Sequence, residues 1–168
     1  ATDDALWTGI RTNSDILVVA PCCHKQIRPQ LDATVSSSSP SSDHYHPFSD
    51  ILRHGIYRER MAETITDSIR ALLLEIAHYK VQVFEFIGGE HTSKNVMITA
   101  VKRKRKRSKK EIQDLRERLR NLCRINGIQQ QKLADWMDEQ LVNTTGSAST
   151  IITTPMAKKL SVNNMAPL

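Results

Sequence analysis

Pro21-Cys22-Cys23-His24-Lys25 concentrates more reactive chemistry than any other short stretch of this chain. Two thiols, an imidazole and an ammonium stand in succession. A cysteine there becomes a nucleophile only if a neighbouring cation lowers its pKa, and His24 or Lys25 could supply that cation. Metal ligation needs about four converging donors. Three successive residues project in different directions, and no second Cys or His cluster has zinc spacing, so the pattern lacks a metal centre's geometry. The third alternative is that Cys22 and Cys23 are small packing residues. His44 and His46 resemble a short metal tract, but histidines beside a serine run are read as solvated. Arg53, His54, Arg58 and Arg60 gather where a long helix begins. Cations there oppose the helix dipole, which leaves a phosphate- or substrate-facing role and a solvated surface as the two readings. Lys102–Lys110 holds eight Lys or Arg and no acid. It could contact RNA phosphates, act as a nuclear-import signal or lie solvated. No aromatic interleaves it, which weighs against base stacking.

The elements that must position these groups follow from periodicity. Thr2–Ile10 reads as a helix, with Thr2 as N-cap and Asp3 and Asp4 at the positive end of its dipole. Ile16–Ala20 is a continuous apolar run too short for a helix. It reads as a strand covered on both faces, as in a parallel sheet, and puts Pro21–Lys25 at the strand's carboxyl end, where α/β sheets place their chemistry. From Thr34 through about residue 49 the Ser-rich stretch reads as a flexible loop. Met61, Ile65, Ile69, Leu72, Leu73 and Ile76 mark a helix over Arg58–Tyr79 that packs one face, with Glu63, Asp67, Arg70 and Glu75 off that line. Val81–Ile87 and Asn95–Val101 read as strands, and the short Gly88–Lys94 connection makes them an antiparallel hairpin. Ser108 and Glu111 form a capping box that opens a helix stopped by Gly127. A second amphipathic helix spans Ile128 to Leu141. Residues 143–168 read as a disordered tail.

Composition sets the bounds. The 168 residues, 39% hydrophobic and 25% charged, suit one soluble domain with a tail. No apolar run could span a bilayer, and the default compartment is cytoplasmic or nuclear. Three cysteines, two of them adjacent, do not suggest a disulfide framework. The net charge of +6 is local: outside Lys102–Lys110 the 18 acids outnumber the remaining bases.

Thr2-Asp3-Asp4-Ala5, Val19-Ala20-Pro21-Cys22-Cys23-His24-Lys25-Gln26, Leu52-Arg53-His54-Gly55-Ile56, Arg58-Glu59-Arg60 and Glu90-His91-Thr92-Ser93-Lys94-Asn95 together resemble a family of methyltransferase-domain proteins. Its members carry Cys-Cys-His after a central strand and are related to RNA-modifying enzymes. The resemblance covers about residues 1–103, with 104–142 as a basic and helical extension. It implies an α/β fold, the C-terminal half of a Rossmann-like class I S-adenosylmethionine-dependent methyltransferase, in which an antiparallel hairpin closes an otherwise parallel sheet. It also implies that Cys22, Cys23 and His24 form one wall of a methyl-transfer pocket, His24 positioning or deprotonating the acceptor. Transfer from a sulfonium needs no covalent enzyme intermediate, so the nucleophile reading loses its purpose there. Pro21, Lys25, Arg53, His54, Arg58, His91 and Asn95 are implied as substrate-binding, and Asp3 and Asp4 as the remnant of a cofactor-binding acidic motif. The Gly-rich turn that binds S-adenosylmethionine is absent from the sequence, so the cofactor half is expected to lie upstream of Ala1, in a longer protein. RNA is the implied acceptor class, and the alternative is a non-catalytic nucleic-acid or protein-binding module on a degenerate fold of the same kind. Ile16–Ala20 is then expected to show an open apolar edge.

Overall fold

The computed structural model describes residues 1–22, 24–37, 46–86 and 95–142. The elements are α1 (Thr2–Arg11), β1 (Ile16–Val19), α2 (Ile27–Ser37), α3 (Ser49–Leu52), α4 (Gly55–Ile76), β2 (Tyr79–Glu85), β3 (Val96–Lys102), α5 (Lys109–Ile125) and α6 (Lys132–Trp136). The fold is mixed helix and strand, built on a three-stranded antiparallel sheet of order β1-β3-β2. β3 lies between the other two, pairing Leu17 with Ala100 and Val81 with Ala100 across its two edges. β1 and β2 therefore run in the same direction without touching.

The hairpin expected from Gly88-Gly89 is present as the β2–β3 pair, and Phe86 N–H donates to the Asn95 carbonyl at 2.9 Å beyond it. The turn itself, 87–94, lies outside the described residues, as do 38–45 and the expected tail. The reading of β1 as a two-faced strand in a parallel sheet is corrected. Its one described neighbour is antiparallel, and Ile16 and Val18 are 64% and 55% exposed. The described helices pack on the opposite face, where Ile98 and Ala100 are buried and Leu17, Val19 and Val81 join the core. An antiparallel sheet can leave one face to solvent. Here that face carries Ile16, Val18, Phe84 and Val101.

Other boundaries move for local reasons. Ala1, not Thr2, is the N-cap of α1, and Thr2 is buried within its first turn. The loop expected from Thr34 begins later, because Ile27, Leu31 and Val35 form an i, i+4 stripe that carries α2 through Ser37. Pro29 is tolerated in its first turn. α4 starts and stops three residues earlier than expected, since Tyr79 opens β2. The second C-terminal helix shrinks to Lys132–Trp136.

α5 opens on the expected capping box: Glu111 N–H donates to Ser108 Oγ at 3.2 Å, and Ser108 N–H to Glu111 Oε2 at 2.6 Å. It closes at Gly127, whose φ of +65° suits glycine. Ile128 N–H donates to the Cys123 carbonyl at 2.8 Å and Gly127 N–H to that of Arg124 at 3.4 Å, the bond pair of a Schellman motif. Leu115, Leu119, Cys123, Ile128 and Leu133 enter the same hydrophobic core as α1, α2 and α4. Trp7 stacks on Trp136 with ring centroids 6.3 Å apart, fastening α6 to α1.

Candidate functional site

β1 ends at Val19, and Pro21, Cys22 and His24 follow at its carboxyl end. Pro21 is buried, Cys22 is exposed, and Cys23 lies outside the described residues. The His24 carbonyl accepts the first hydrogen bond of α2, from Ile27 N–H at 3.3 Å, so the tight turn into that helix drives the imidazole inward. His24 is 7% exposed as a residue, and its ring meets α4.

There Nε2 stands 3.3 Å from both Asp67 oxygens. A carboxylate only accepts, so this nitrogen carries the hydrogen. Nδ1 faces the other way, 3.9 Å from Glu63 Oε1, and has no hydrogen-bond partner among the described residues. Glu63, Asp67 and Arg70 occupy one stripe of α4 at i, i+4 and i+7.

Arg70 fixes Asp67 from behind. Its side chain is 1% exposed, and it donates from Nη1 to Asp67 Oδ1 at 2.9 Å. The other side of the guanidinium grips Asp3 of α1, Nε to Oδ1 at 2.9 Å and Nη2 to Oδ2 at 3.0 Å. Burial works against the charge of Arg70, yet the Asp3 and Asp67 carboxylates outweigh it and hold its pKa above the ordinary value. Asp3 Oδ1 also accepts from Gln131 Nε2 at 3.0 Å, and Gln131 Oε1 caps α6 by accepting from Ala134 N–H. A continuous polar chain therefore runs from His24 through Asp67, Arg70 and Asp3 to the start of α6. The reading of Asp67 and Arg70 as lying off a single packed face is corrected: α4 is enclosed on several sides, and these charges are buried because they pair.

The remaining expected residues are dispersed. Lys25 is exposed. Arg53 and His54 are exposed at the start of α4, Arg53 Nε donating to His54 Nε2 at 3.2 Å. Arg58 pairs with Asp32 of α2 at 3.4 Å. Asp4 is exposed and pairs with Lys132 at 3.1 Å. His91 and His44 lie outside the described residues. His46, expected to be solvated, is 1% exposed: its Nδ1 accepts from Phe48 N–H at 3.1 Å and its Nε2 meets Asn126 Oδ1 at 3.3 Å. Among the described residues no three His, Cys, Asp or Glu are grouped to hold a metal ion, and no helix is long and apolar enough to cross a membrane.

Asn95 joins the site from a different direction. With Glu63 and Asp67 it lines a cleft of about 1040 Å³ between α4, the hairpin and α5. Leu72, Val81, Val83 and Val96 give that cleft an apolar floor. Glu63 and Asp67 thus stand at two places at once, beside His24 and on the cleft wall. Neither carried a signal in the sequence beyond a charge at helical spacing.

The basic run sits at the other end of α4. Arg107 is built into the fold: its Nη1 donates to the Glu75 and Tyr79 carbonyls at 2.5 and 2.9 Å, and its N–H to His78 Nδ1 at 3.0 Å. Burial, reinforced by Lys106, Arg107 and Arg103, holds the His78 pKa below its ordinary value and suits that accepting nitrogen. Arg103–Lys106, Lys109 and Lys110 are exposed.

Both oxygens of Asp3 are engaged by Arg70 and Gln131, Asp4 pairs with Lys132, and the sequence contains no Gly-x-Gly turn. No protein-family model, curated protein or solved structure matches this chain.

Proposed function

We propose that this chain is the acceptor-side half of a class I methyltransferase-like domain, acting in methyl transfer together with a cofactor-binding half contributed by other polypeptide. The strand arrangement carries the proposal. Two strands run in the same direction with an antiparallel strand inserted between them, and the crossover from β1 to β2 passes through α2, α3 and α4. That is the ending expected of the Rossmann-like methyltransferase sheet. The β1 edge, which no strand among the described residues pairs, and the Ile16, Val18 and Val101 face offer the place where the cofactor half would continue it. His24 lies at the carboxyl end of β1, where such a fold does its chemistry. With Nε2–H fixed by Asp67, its Nδ1 is the nitrogen available to orient or deprotonate an acceptor.

S-adenosylmethionine binding tests this reading. Calorimetry should show no micromolar binding to residues 1–168 alone, and binding once the residues encoded ahead of Ala1 are included. Tight binding by the 168-residue chain, or none by the extended protein, would overturn the division into halves.

A further inference from the structure

Six cations without a carboxylate partner are concentrated between the end of β3 and the first turn of α5. Arg103, Lys104, Arg105, Lys106, Lys109 and Lys110 are exposed, and among the described residues none of them is in an ion pair. Elsewhere Arg28, Arg58, Arg70, Arg116 and Lys132 each have a carboxylate. The acid closest in sequence is Glu111, and its Oε2 is committed to Ser108 N–H at 2.6 Å. That N–H and the Ser108 hydroxyl hold the Glu111 carboxyl below its ordinary value, and Arg103 and Arg105 add to the effect.

The surrounding backbone reinforces the same sign. The N-terminus of α5 contributes its partial positive charge here, while the partial negative C-terminus of α4 is covered by Arg107, whose Nη1 takes the Glu75 carbonyl. The loop is also held in place. Arg103 N–H donates to the His78 carbonyl and Arg107 N–H to His78 Nδ1, both at 3.0 Å, so Lys104, Arg105 and Lys106 project from a segment pinned at both ends to one residue. Charges presented this way lose little freedom when an anion is bound.

Composition selects among polyanions. Lys102–Lys110 contains no apolar or aromatic side chain. It therefore lacks the apolar core of a protein interface, an anchor for a lipid surface and a platform for unstacked bases. An import signal read as an extended peptide would require Arg107 to leave its carbonyls and the capping box to open, whereas phosphates need only the exposed side chains. We propose that Arg103–Lys106, Lys109 and Lys110 form a docking surface for the phosphate backbone of a double-helical nucleic acid, held without reading its bases. The surface goes beyond methyl transfer and does not depend on it.

The test uses the full 168-residue chain and short fluorescent duplexes of mixed sequence, one DNA and one RNA, followed by anisotropy over a series of salt concentrations. Binding should weaken with salt at a logarithmic slope of about 0.9 per contacted phosphate, and should not change when the base sequence is permuted. Arg105→Ala with Lys106→Ala should flatten that slope by about two, whereas Arg124→Ala, at the far end of α5, should leave it unchanged. These side chains are exposed, so the urea midpoint should not move in either variant. Binding of either duplex in this manner satisfies the proposal, and the ratio of the two affinities names the source of the backbone. Absence of duplex binding at low salt, an unaltered slope in the double variant, or tighter binding to the single strands, to polyglutamate or to phosphatidylserine vesicles would overturn it. S-adenosylmethionine affinity is read separately, so failure of one proposal leaves the other standing.

Discussion

Arg70→Met should be among the most damaging single substitutions in this protein. Methionine replaces most of the stem volume, so little cavity is left, and the cost arises from the carboxylates that lose their cation. Arg70 is 1% exposed at its side chain, and the partners Asp67 and Asp3 are 9% and 14% exposed. Removing one partner of a buried ion pair costs about 3–5 kcal/mol, because the remaining charge stays desolvated. Three charge-assisted hydrogen bonds of 2.9, 2.9 and 3.0 Å vanish together, which places the expectation in the upper part of that range. Lys132–Asp4 is the internal control, at 46% and 53% exposure, and Lys132→Met should cost about 0–1 kcal/mol. Urea unfolding with an unchanged slope measures both. With slopes of about 1–3 kcal/mol per molar, Arg70→Met should lower the midpoint by roughly a molar or more. Adding Asp3→Asn and Asp67→Asn to Arg70→Met should recover much of the loss, since no buried charge is then orphaned. A loss for Arg70→Met no greater than that for Lys132→Met would refute the buried relay.

Two further outcomes follow from local geometry. Gly127→Ala should destabilise by more than about 1 kcal/mol in the same assay, because an alanine at φ +65° is strained and its Cβ would fall 1.8 Å from Thr34 Oγ1; a neutral result would remove the glycine's role in stopping α5. Burial pushes the Cys123 thiol from an ordinary value near 9 up to about 12. The unfolded chain releases this proton first as pH rises, so the contribution is fully present below about pH 9 and is lost as pH climbs toward 12, by up to about 1.4 kcal/mol per unit. Desolvation of Tyr79, with Asp15 nearby, adds in the same direction. In a Cys22→Ser, Cys23→Ser variant, thiol labelling of Cys123 should track unfolding, and prompt labelling of the native protein would show that the thiol is not enclosed.

Much of the scaffold could be read from periodicity because its signals are local. Ser108 and Glu111 satisfy each other's backbone three residues apart, and Gly127 supplies a conformation that its own φ demands. The stripe from Met61 to Ile76 likewise needs no knowledge of its partner to be read as a helix. The errors share a different origin. Five apolar residues in a row at Ile16–Ala20 reveal a strand, but not what covers each face. Burial belongs to the sheet, and in this sheet the described helices all take one side. The Ser-rich stretch hid the end of α2 because Thr34 and Ser36 lower helix propensity while Leu31 and Val35 hold the helix through packing.

The candidate site was half legible for the same reason. His24 could be located at a strand's carboxyl end from sequence alone, but what it does depends on residues 39 and 43 positions later that read as ordinary surface charges. A carboxylate on a helix carries no mark of burial until its counter-ion is in place, and for Asp67 that ion is Arg70, itself neutralised by Asp3 from another helix. Each member of the relay would be expensive alone, and none is identifiable alone. The acidic motif implied for cofactor binding therefore gains a different physical meaning in this chain. By holding Arg70, Asp3 fixes the carboxylate that orients His24, and through Gln131 it ties that orientation to α6. A change in the docking of α6 against α1 would then reach His24 through charged groups that cannot separate without leaving a buried charge unpaired.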